Sequence, residues 1–218
     1  MHDGADPCSR LIGHWEERFA EDAETYFFGK EPSALGRLAL RFWKLCRGDD
    51  TARILDLGCG EGRDAAWFAE QGHRVTAVEP APSGLAKAHR LAEERGARLE
   101  TGLCCDMLEV DLAGYDLYFA GNSLNLLGRS CLPFLRRLRA ATPRGGLHAV
   151  RIATRESWGP DPRPGHYRFD HNELKHEYRG WRLLYYGEDL IYVPHLDRLA
   201  SFADIIAQKT RGAAREPD

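Results

Sequence analysis

Short apolar stretches alternate with amphipathic stretches over the centre of the chain. The apolar stretches have the length of strands, whereas the amphipathic ones repeat apolar residues every three or four positions, as helices do. The pattern predicts strands at 54–57, 74–78, 97–103, 115–120 and 147–153, and helices at 63–71, 83–95 and 130–141. Strands that alternate with helices predict an α/β fold, in which a mostly parallel sheet is covered by helices on both faces.

The flanking regions follow other patterns. Two helices are predicted before the first strand, at 9–22 and 33–46, with an aromatic turn at 26–32 between them. Residues 155–169 are rich in Pro, Gly, Arg and aromatic residues, which is typical of an active-site loop. After that loop the pattern predicts a short helix at 171–178, with Asp170 as its N-cap, and two strands at 181–186 and 200–209.

The domain boundaries follow from the same pattern. We expect disorder at residues 1–9 and 211–218, and one domain over residues 10–210, which is a usual size for a single domain.

The amino-acid composition argues against nucleic acids and membranes as binding partners. Apolar residues make up 43% of the chain and charged residues 29%, with a net charge of −3 and no long basic run. Because nucleic-acid binding relies on basic side chains that contact phosphates, neither DNA nor RNA is an expected partner. The sequence has no signal peptide and no apolar run of membrane-spanning length, so we expect a cytoplasmic protein without a membrane partner. The oligomeric state stays open.

The six cysteines follow no disulfide-scaffold spacing. In a reducing compartment we expect free thiols that act as small packing residues. Cys104 and Cys105 are neighbours, and the alternative for them is a soft site for a metalloid or an oxidant. No C-x-x-C pair with partner ligands is present, and we predict no metal site.

The strongest chemical signal is the glycine loop that follows the first strand. It has the form Gly58-x-Gly60-x-Gly62, which allows a ligand to approach the backbone closely. The dinucleotide fingerprint G-x-G-x-x-G would require glycine where this chain has Arg63, which disfavours a pyrophosphate ligand. The loop resembles motif I of class I S-adenosylmethionine-dependent methyltransferases.

That resemblance implies a fold and a cofactor. The implied fold is Rossmann-like, with a seven-stranded, mostly parallel sheet that ends in a reversed C-terminal strand pair. The implied cofactor is S-adenosyl-L-methionine, with residues 10–50 as a helical cap over its site. A carboxylate at the end of the second strand, Glu79, would bind the ribose hydroxyls. Asp106 and Met107 would contact adenine, and Asp56 would help to hold the amino group.

The full set of cofactor residues implied in this way includes the glycine loop and an aromatic lid. The set is Tyr26, Phe28, Asp56, Gly58, Cys59, Gly60, Gly62, Glu79, Pro80, Asp106, Met107, Asn122 and Ser123.

Several of these residues have structural alternatives. Asn122 and Ser123 fit a turn as well as a contact with the cofactor or the acceptor. Aromatic faces attract a sulfonium cation, which favours Tyr26 and Phe28. Trp15 is a further candidate, although it also fits the buried stripe of an amphipathic helix. Asp64 fits a structural role at the positive end of the following helix.

A wider resemblance extends over residues 11–209. The segments 15–19, 26–32, 56–65, 180–181 and 184–189 are similar to the tellurite-resistance methyltransferase group, close to the thiopurine methyltransferases. The resemblance implies methyl transfer to a soft S, Se or Te atom of a small-molecule acceptor, which could be anionic.

The catalytic candidates follow from the two acceptor hypotheses. Arg151, within a strand near the crevice, would attract an anionic acceptor. If the acceptor is instead an O or N atom of a metabolite, His166, His171 or His195 would be the general base. The third hypothesis, from another class, is a methyltransferase fold that binds its cofactor without catalysis.

Overall fold

The computed structural model describes residues 7–22, 24–156, 165–193 and 198–210. The helices are α1 (Pro7–Ala20), α2 (Ala34–Arg47), α3 (Arg63–Glu70), α4 (Pro82–Glu94), α5 (Cys131–Ala141) and α6 (Glu173–Glu177). The strands are β1 (Arg53–Leu57), β2 (Arg74–Val78), β3 (Thr101–Leu103), β4 (Leu117–Gly121), β5 (Leu147–Ala153), β6 (Arg182–Val193) and β7 (Arg198–Gln208). Two 3₁₀ helices are also present, at Met107–Glu109 and Leu124–Ser130.

In the part of the chain that the structure describes, seven strands form one sheet in the order β3-β2-β1-β4-β5-β7-β6. The first five strands of this order are parallel, whereas β7 runs antiparallel to both β5 and β6. The predicted mostly parallel sheet with a reversed C-terminal strand pair is therefore confirmed.

Helices cover both faces of this sheet, as predicted. On one face α2, α3 and α4 bury Trp43, Phe68 and Leu91. On the other face α5 and α6 bury Phe134 and Leu174. Burying a large apolar side chain stabilises the fold by about 1.5–3 kcal/mol, so each helix is held by its apolar stripe.

The strand order reverses direction at β1, which lies between β2 and β4. The connections from β1 and from β4 leave towards opposite faces, and a crevice opens at the carboxyl ends of these strands. Ligands of open α/β sheets bind at such a switch point. The loop from Gly58 to Gly62 follows β1, and Asn122 and Ser123 follow β4.

Some predicted bounds differ from the structure. The third strand, predicted at 97–103, is limited to Thr101–Leu103. The last two strands are longer than predicted, because Ile191 pairs with Ala200 beyond the expected hairpin end. Asp170 is not the N-cap of α6: the capping position is Asn172, whose φ is 61°. Asp170 instead forms an ion pair with Arg155, at 2.8 Å.

The chain termini were predicted to be disordered. Helix α1 begins at Pro7, so the prediction for residues 1–9 is wrong at residues 7–9. Residues 1–6 and the tail 211–218 lie outside the described residues.

Among the helices of the described residues, none combines the length and the apolar character that a bilayer crossing demands.

Candidate functional site

A cavity of about 290 Å³ opens at the carboxyl ends of the central strands. The glycine loop, the end of β2 and the segment after β4 form its floor, while α1 and the ends of β6 and β7 form its walls. The site therefore combines residues that are up to 190 positions apart in the sequence, from Ile12 to Phe202.

The glycine loop is packed too tightly for side chains at two positions. Gly58 and Gly62 both have a positive φ, at 71° and 82°. A Cβ at Gly62 would lie 2.3 Å from the Cβ of Ala88, and one at Gly58 would lie 2.5 Å from the Cβ of Ser123. Glycine is required here for both the left-handed backbone and the close approach of neighbouring elements.

Glu79 holds the loop in place from the end of β2. Its Oε2 accepts a hydrogen bond from the N–H of Gly60 at 2.9 Å, and its Oε1 accepts one from Ala81 at 3.1 Å. Burial raises the pKa of the Glu79 carboxyl, while these two hydrogen bonds lower it. The carboxylate thus lies fixed at the cavity floor, where a ligand hydroxyl can reach it.

Two further carboxylates, Asp56 and Asp64, line the same floor. Burial raises the pKa of Asp56 well above its usual range, and the carboxylates of Asp64 and Glu79 raise it further. Asp64 accepts a hydrogen bond from the N–H of Ser33 at 2.7 Å, and Arg63 lies 3.5 Å away. This concentration of buried negative charge favours a cationic ligand group. The sequence suggested a structural role for Asp64 and missed its place in the lining.

Asp106 and Met107 also line the cavity. Asp106 caps the 3₁₀ helix by accepting a hydrogen bond from the N–H of Leu108 at 2.8 Å. Met107 is 6% exposed and packs beside the glycine loop. The pair therefore presents an apolar side chain and a carboxylate next to each other.

Every predicted cofactor residue except Tyr26 lines this cavity. Tyr26 is a correction: its ring packs against the side chains of Lys30, Lys87 and Arg90. Its hydroxyl donates a hydrogen bond to the carbonyl of Lys87, at 3.2 Å. Tyr26 lies in the aromatic turn before Gly29 as expected, but its side chain points towards α4 and not into the cavity.

The aromatic lid consists of α1 and Phe28. Trp15 stacks on Phe19 with 5.4 Å between ring centroids, and it lies 5.8 Å from Phe28. All three rings also line the cavity, so Trp15 has both the packing role and the lid role that the sequence left open. The indole Nε1 of Trp15 is buried and has no hydrogen-bond partner.

A set of apolar side chains, the apolar wall, also lines the cavity, and the sequence did not predict its members from β6 and β7. Its side chains are Phe119, Leu126, Leu127, Ile191, Val193 and Phe202. Arg151 lines the cavity as expected. However, its guanidinium donates two hydrogen bonds to Asp204, at 2.7 and 2.6 Å. This bidentate ion pair compensates the charge that was expected to attract an anionic acceptor.

The predicted histidines that belong to the described residues, His166 and His171, do not line the cavity. His195 lies outside the described residues. His171 forms an ion pair with Glu188 instead. Two described cations around the loop after β5 have other partners too: Arg155 pairs with Asp170, and Arg168 donates to the carbonyl of Thr154.

The sheet with its antiparallel β7, the switch-point cavity and the glycine loop together define a class I methyltransferase fold. The chain belongs to the TehB family: the family model described as tellurite resistance protein TehB matches residues 47–200. The curated relatives found in sequence comparisons include several proteins named as methyltransferases.

Two of the curated relatives illustrate the similarity. A probable S-adenosyl-L-methionine-dependent methyltransferase TehB of Haemophilus influenzae is 26% identical over 164 residues, which are 72% of this chain and 57% of the relative. A 2-heptyl-1-hydroxyquinolin-4(1H)-one methyltransferase of Mycobacteroides abscessus is 28% identical over 155 residues, 67% of this chain and 66% of the relative. The chain thus spans little more than half the length of the TehB relative.

Solved structures share the fold. The crystal structure of TehB from Haemophilus influenzae has a TM-score of 0.66 at 21% identity, over 90% of this chain and 67% of that one. The Burkholderia thailandensis 1,6-didemethyltoxoflavin-N1-methyltransferase has a TM-score of 0.68 at 22% identity, over 95% of this chain and 92% of that one. At these identities the likeness concerns the fold alone.

Proposed function

We propose that this chain transfers a methyl group from S-adenosylmethionine to a small, apolar acceptor through a soft S, Se or Te atom. The observation that carries the proposal is one cavity whose lining combines the glycine loop and buried carboxylates with aromatic and aliphatic side chains. The carboxylates suit a cationic cofactor, and the apolar side chains suit an acceptor of a different kind.

The residues present fit S-adenosylmethionine. Asp56 and the buried Oδ1 of Asn122, which has no hydrogen-bond partner, are acceptors for its ammonium group. Glu79 is placed for the ribose hydroxyls, and Met107 and Asp106 for adenine. The bare backbone at Gly58 leaves no side chain between the floor and the ligand. When bound, the cofactor would supply an activated methyl group on a sulfonium.

The protein's own contribution would be to orient the acceptor and to exclude water. Alignment of two reactants is worth about 7–11 kcal/mol in well-oriented reactions. Among the described lining residues the ionisable groups are carboxylates, arginines and the thiol of Cys59, and none is His, Lys or Tyr. Burial raises the pKa of the Cys59 thiol, which keeps it protonated. The lining thus favours an acceptor atom that needs no strong base, such as an aryl thiol or a selenol.

The charge of the cavity argues against an oxyanion as acceptor. Asp56, Asp64 and Glu79 are buried at its floor, and Asp204 compensates Arg151. An anion would be repelled by the floor without a free cation among the described lining residues to offset that cost. We therefore favour an acceptor that enters as a neutral thiol or selenol, is lipophilic enough to displace water from the aromatic wall, and releases its proton to solvent as the methyl group is transferred.

Calorimetry and a product screen test the proposal. The chain should bind S-adenosylhomocysteine, and with S-adenosylmethionine it should methylate aryl thiols and selenols faster than selenite or tellurite. Methylation of the oxyanions alone would contradict the proposed acceptor class. Tight cofactor binding without any product across the panel would support the alternative of a non-catalytic cofactor-binding protein.

A second candidate is methyl transfer to an O or N atom of an aromatic heterocycle. The aromatic wall favours it, and so does the similarity to the Mycobacteroides abscessus enzyme, whose name specifies a hydroxyquinolone acceptor. The pH dependence separates the two candidates. A rate that rises steeply near neutrality and loses this rise in a His166→Ala or His195→Ala variant would support the O- or N-acceptor, because histidine would then be the base.

A further inference from the structure

We propose that Glu156, His171 and Glu188 form a binding site for a divalent transition-metal ion such as Zn²⁺ or Mn²⁺. The site is separate from the methyl-transfer cavity. Side chains alternate between the two faces along β6, and Ile191 and Val193 face the cavity. Glu188 therefore lies on the opposite face of the strand.

The three side chains bring one imidazole nitrogen and two carboxylate oxygens together. Their potential ligand atoms all lie within 4.8 Å of one another. Nδ1 of His171 is 3.7 Å from Oε1 of Glu156 and is in closer contact with Oε2 of Glu188. Nitrogen and carboxylate oxygens in this combination are ligands for Zn²⁺ and related ions, with open positions left for water.

Glu188 is the most informative member of this cluster. Its side chain is only 9% exposed, and its buried Oε2 lies against Nδ1 of His171. The other oxygen, Oε1, accepts hydrogen bonds from the N–H of Asn172 at 2.8 Å and from the hydroxyl of Tyr186. The carboxylate is therefore held with Oε2 directed at His171. Burial of a carboxylate is costly unless a positive charge compensates it, and a cation bound between Oε2 and the imidazole would do so.

Charge balance also favours a divalent ion over a simple ion pair. A protonated His171 would carry one positive charge between the carboxylates of Glu156 and Glu188, which would leave one negative charge in excess. A divalent cation with neutral His171 would leave the site neutral. Outer partners that fix a ligand, as Asn172 and Tyr186 fix Glu188, are typical of metal sites.

The positions of the ligands suggest what the ion would do. Glu156 follows β5, His171 precedes α6 and Glu188 belongs to the edge strand β6. An ion would thus connect both ends of the segment from 156 to 171 to the sheet. We expect a contribution to stability, which is measurable independently of the proposed methyl transfer.

The test uses the full chain after treatment with EDTA and dialysis. Calorimetric titration with ZnCl₂ and with MnCl₂ should show one ion bound per chain, and ZnCl₂ should raise the melting temperature. Glu188→Gln and His171→Ala should each weaken binding by about tenfold or more and remove the thermal shift. In Glu188→Gln the remaining oxygen can still accept from Asn172 and Tyr186, so this variant should fold.

Two controls distinguish the site from adventitious binding. His176→Ala removes an exposed histidine of α6 and should leave the affinity unchanged. A Cys104→Ser/Cys105→Ser variant removes the two adjacent thiols that follow β3 and should also leave the metal affinity unchanged. The proposal is overturned if no ion binds, if binding survives both Glu188→Gln and His171→Ala, or if only the cysteine variant loses it.

Discussion

Glu79 performs two tasks with one carboxylate, since it fixes the backbone of the glycine loop and faces the cavity. The sequence identified the ligand-facing task from its position after β2. It did not identify the hydrogen bond to Gly60. Gly60 lies nineteen residues from Glu79 along the chain, and the two residues meet only because β1 and β2 pair. A residue's place in a motif thus indicates which ligand it faces, whereas its structural contacts depend on the fold.

Glu79→Gln should weaken the binding of S-adenosylhomocysteine by about 10- to 100-fold. Hydrogen bonds to a charged group contribute about 1.5–3 kcal/mol, and the amide loses one of the two acceptors. Calorimetry measures the affinity, and circular dichroism confirms that the variant is folded. The matched control is Glu93→Gln, which changes an exposed carboxylate of α4 and should leave the affinity unchanged. Equal affinities for all three proteins would contradict the role of Glu79.

The raised pKa of Asp56 makes ligand binding sensitive to pH. An ammonium ligand requires the ionised carboxylate, so affinity should fall as the pH decreases. The loss should begin above the ordinary aspartate range of about 4, because burial and the neighbouring carboxylates raise the pKa. Titration of S-adenosylhomocysteine between about pH 5 and 8 measures this loss. Asp56→Asn should bind weakly and lose this part of the pH dependence.

The same shift predicts the sign of a stability effect. A carboxyl whose pKa is higher in the folded state than in the unfolded state disfavours folding above its folded pKa, and the penalty disappears as the pH falls below the unfolded pKa. Asp56→Asn should therefore raise the melting temperature of the ligand-free protein at neutral pH, by about 2–4 °C per kcal/mol gained. A lower melting temperature would show that ionised Asp56 is stabilised by contacts beyond those described.

At the level of elements, the sequence predicted what local patterns determine. The strands 74–78 and 147–153 match β2 and β5, because a buried parallel strand is a short apolar run with clear ends. The apolar wall was missed because it depends on long-range pairing. Ile191 and Phe202 reach the cavity only because β6 and β7 pair beyond the predicted hairpin. Their apolar character alone did not reveal which cavity they would line.

The contact between the glycine loop and α4 can be tested with a matched pair of glycines. Gly62 and Gly96 both have a positive φ, at 82° and 71°. A Cβ at Gly62 would meet Ala88 at 2.3 Å, whereas a Cβ at Gly96 would meet nothing within 4 Å. Both substitutions to alanine incur the left-handed backbone cost, but Gly62→Ala should cost about 1–3 kcal/mol more through overpacking. Urea denaturation measures the difference, and equal costs would rule out the packing argument.

At the scale of the whole molecule, distant parts of the chain determine the charge of the cavity lining. Arg151 of β5 was expected to attract an anion, yet Asp204 of β7 compensates it across the antiparallel pairing of these strands. No local pattern around Arg151 predicts this partner, which lies fifty-three residues away. The carboxylate from the antiparallel strand β7 thus neutralises the arginine that was predicted to bind an anion.

Asp204→Asn should shift acceptor preference towards anions, if the proposed methyl transfer holds. The variant leaves the Arg151 guanidinium without its carboxylate, so a positive charge would face the cavity. We expect the ratio of kcat/KM for selenite to that for a neutral aryl thiol to rise about 5- to 50-fold, which corresponds to about 1–2.3 kcal/mol of new attraction. Asp189→Asn, an exposed carboxylate on β6, is the control and should leave the ratio unchanged. An unchanged ratio in Asp204→Asn, with the variant folded, would show that Arg151 does not reach the acceptor.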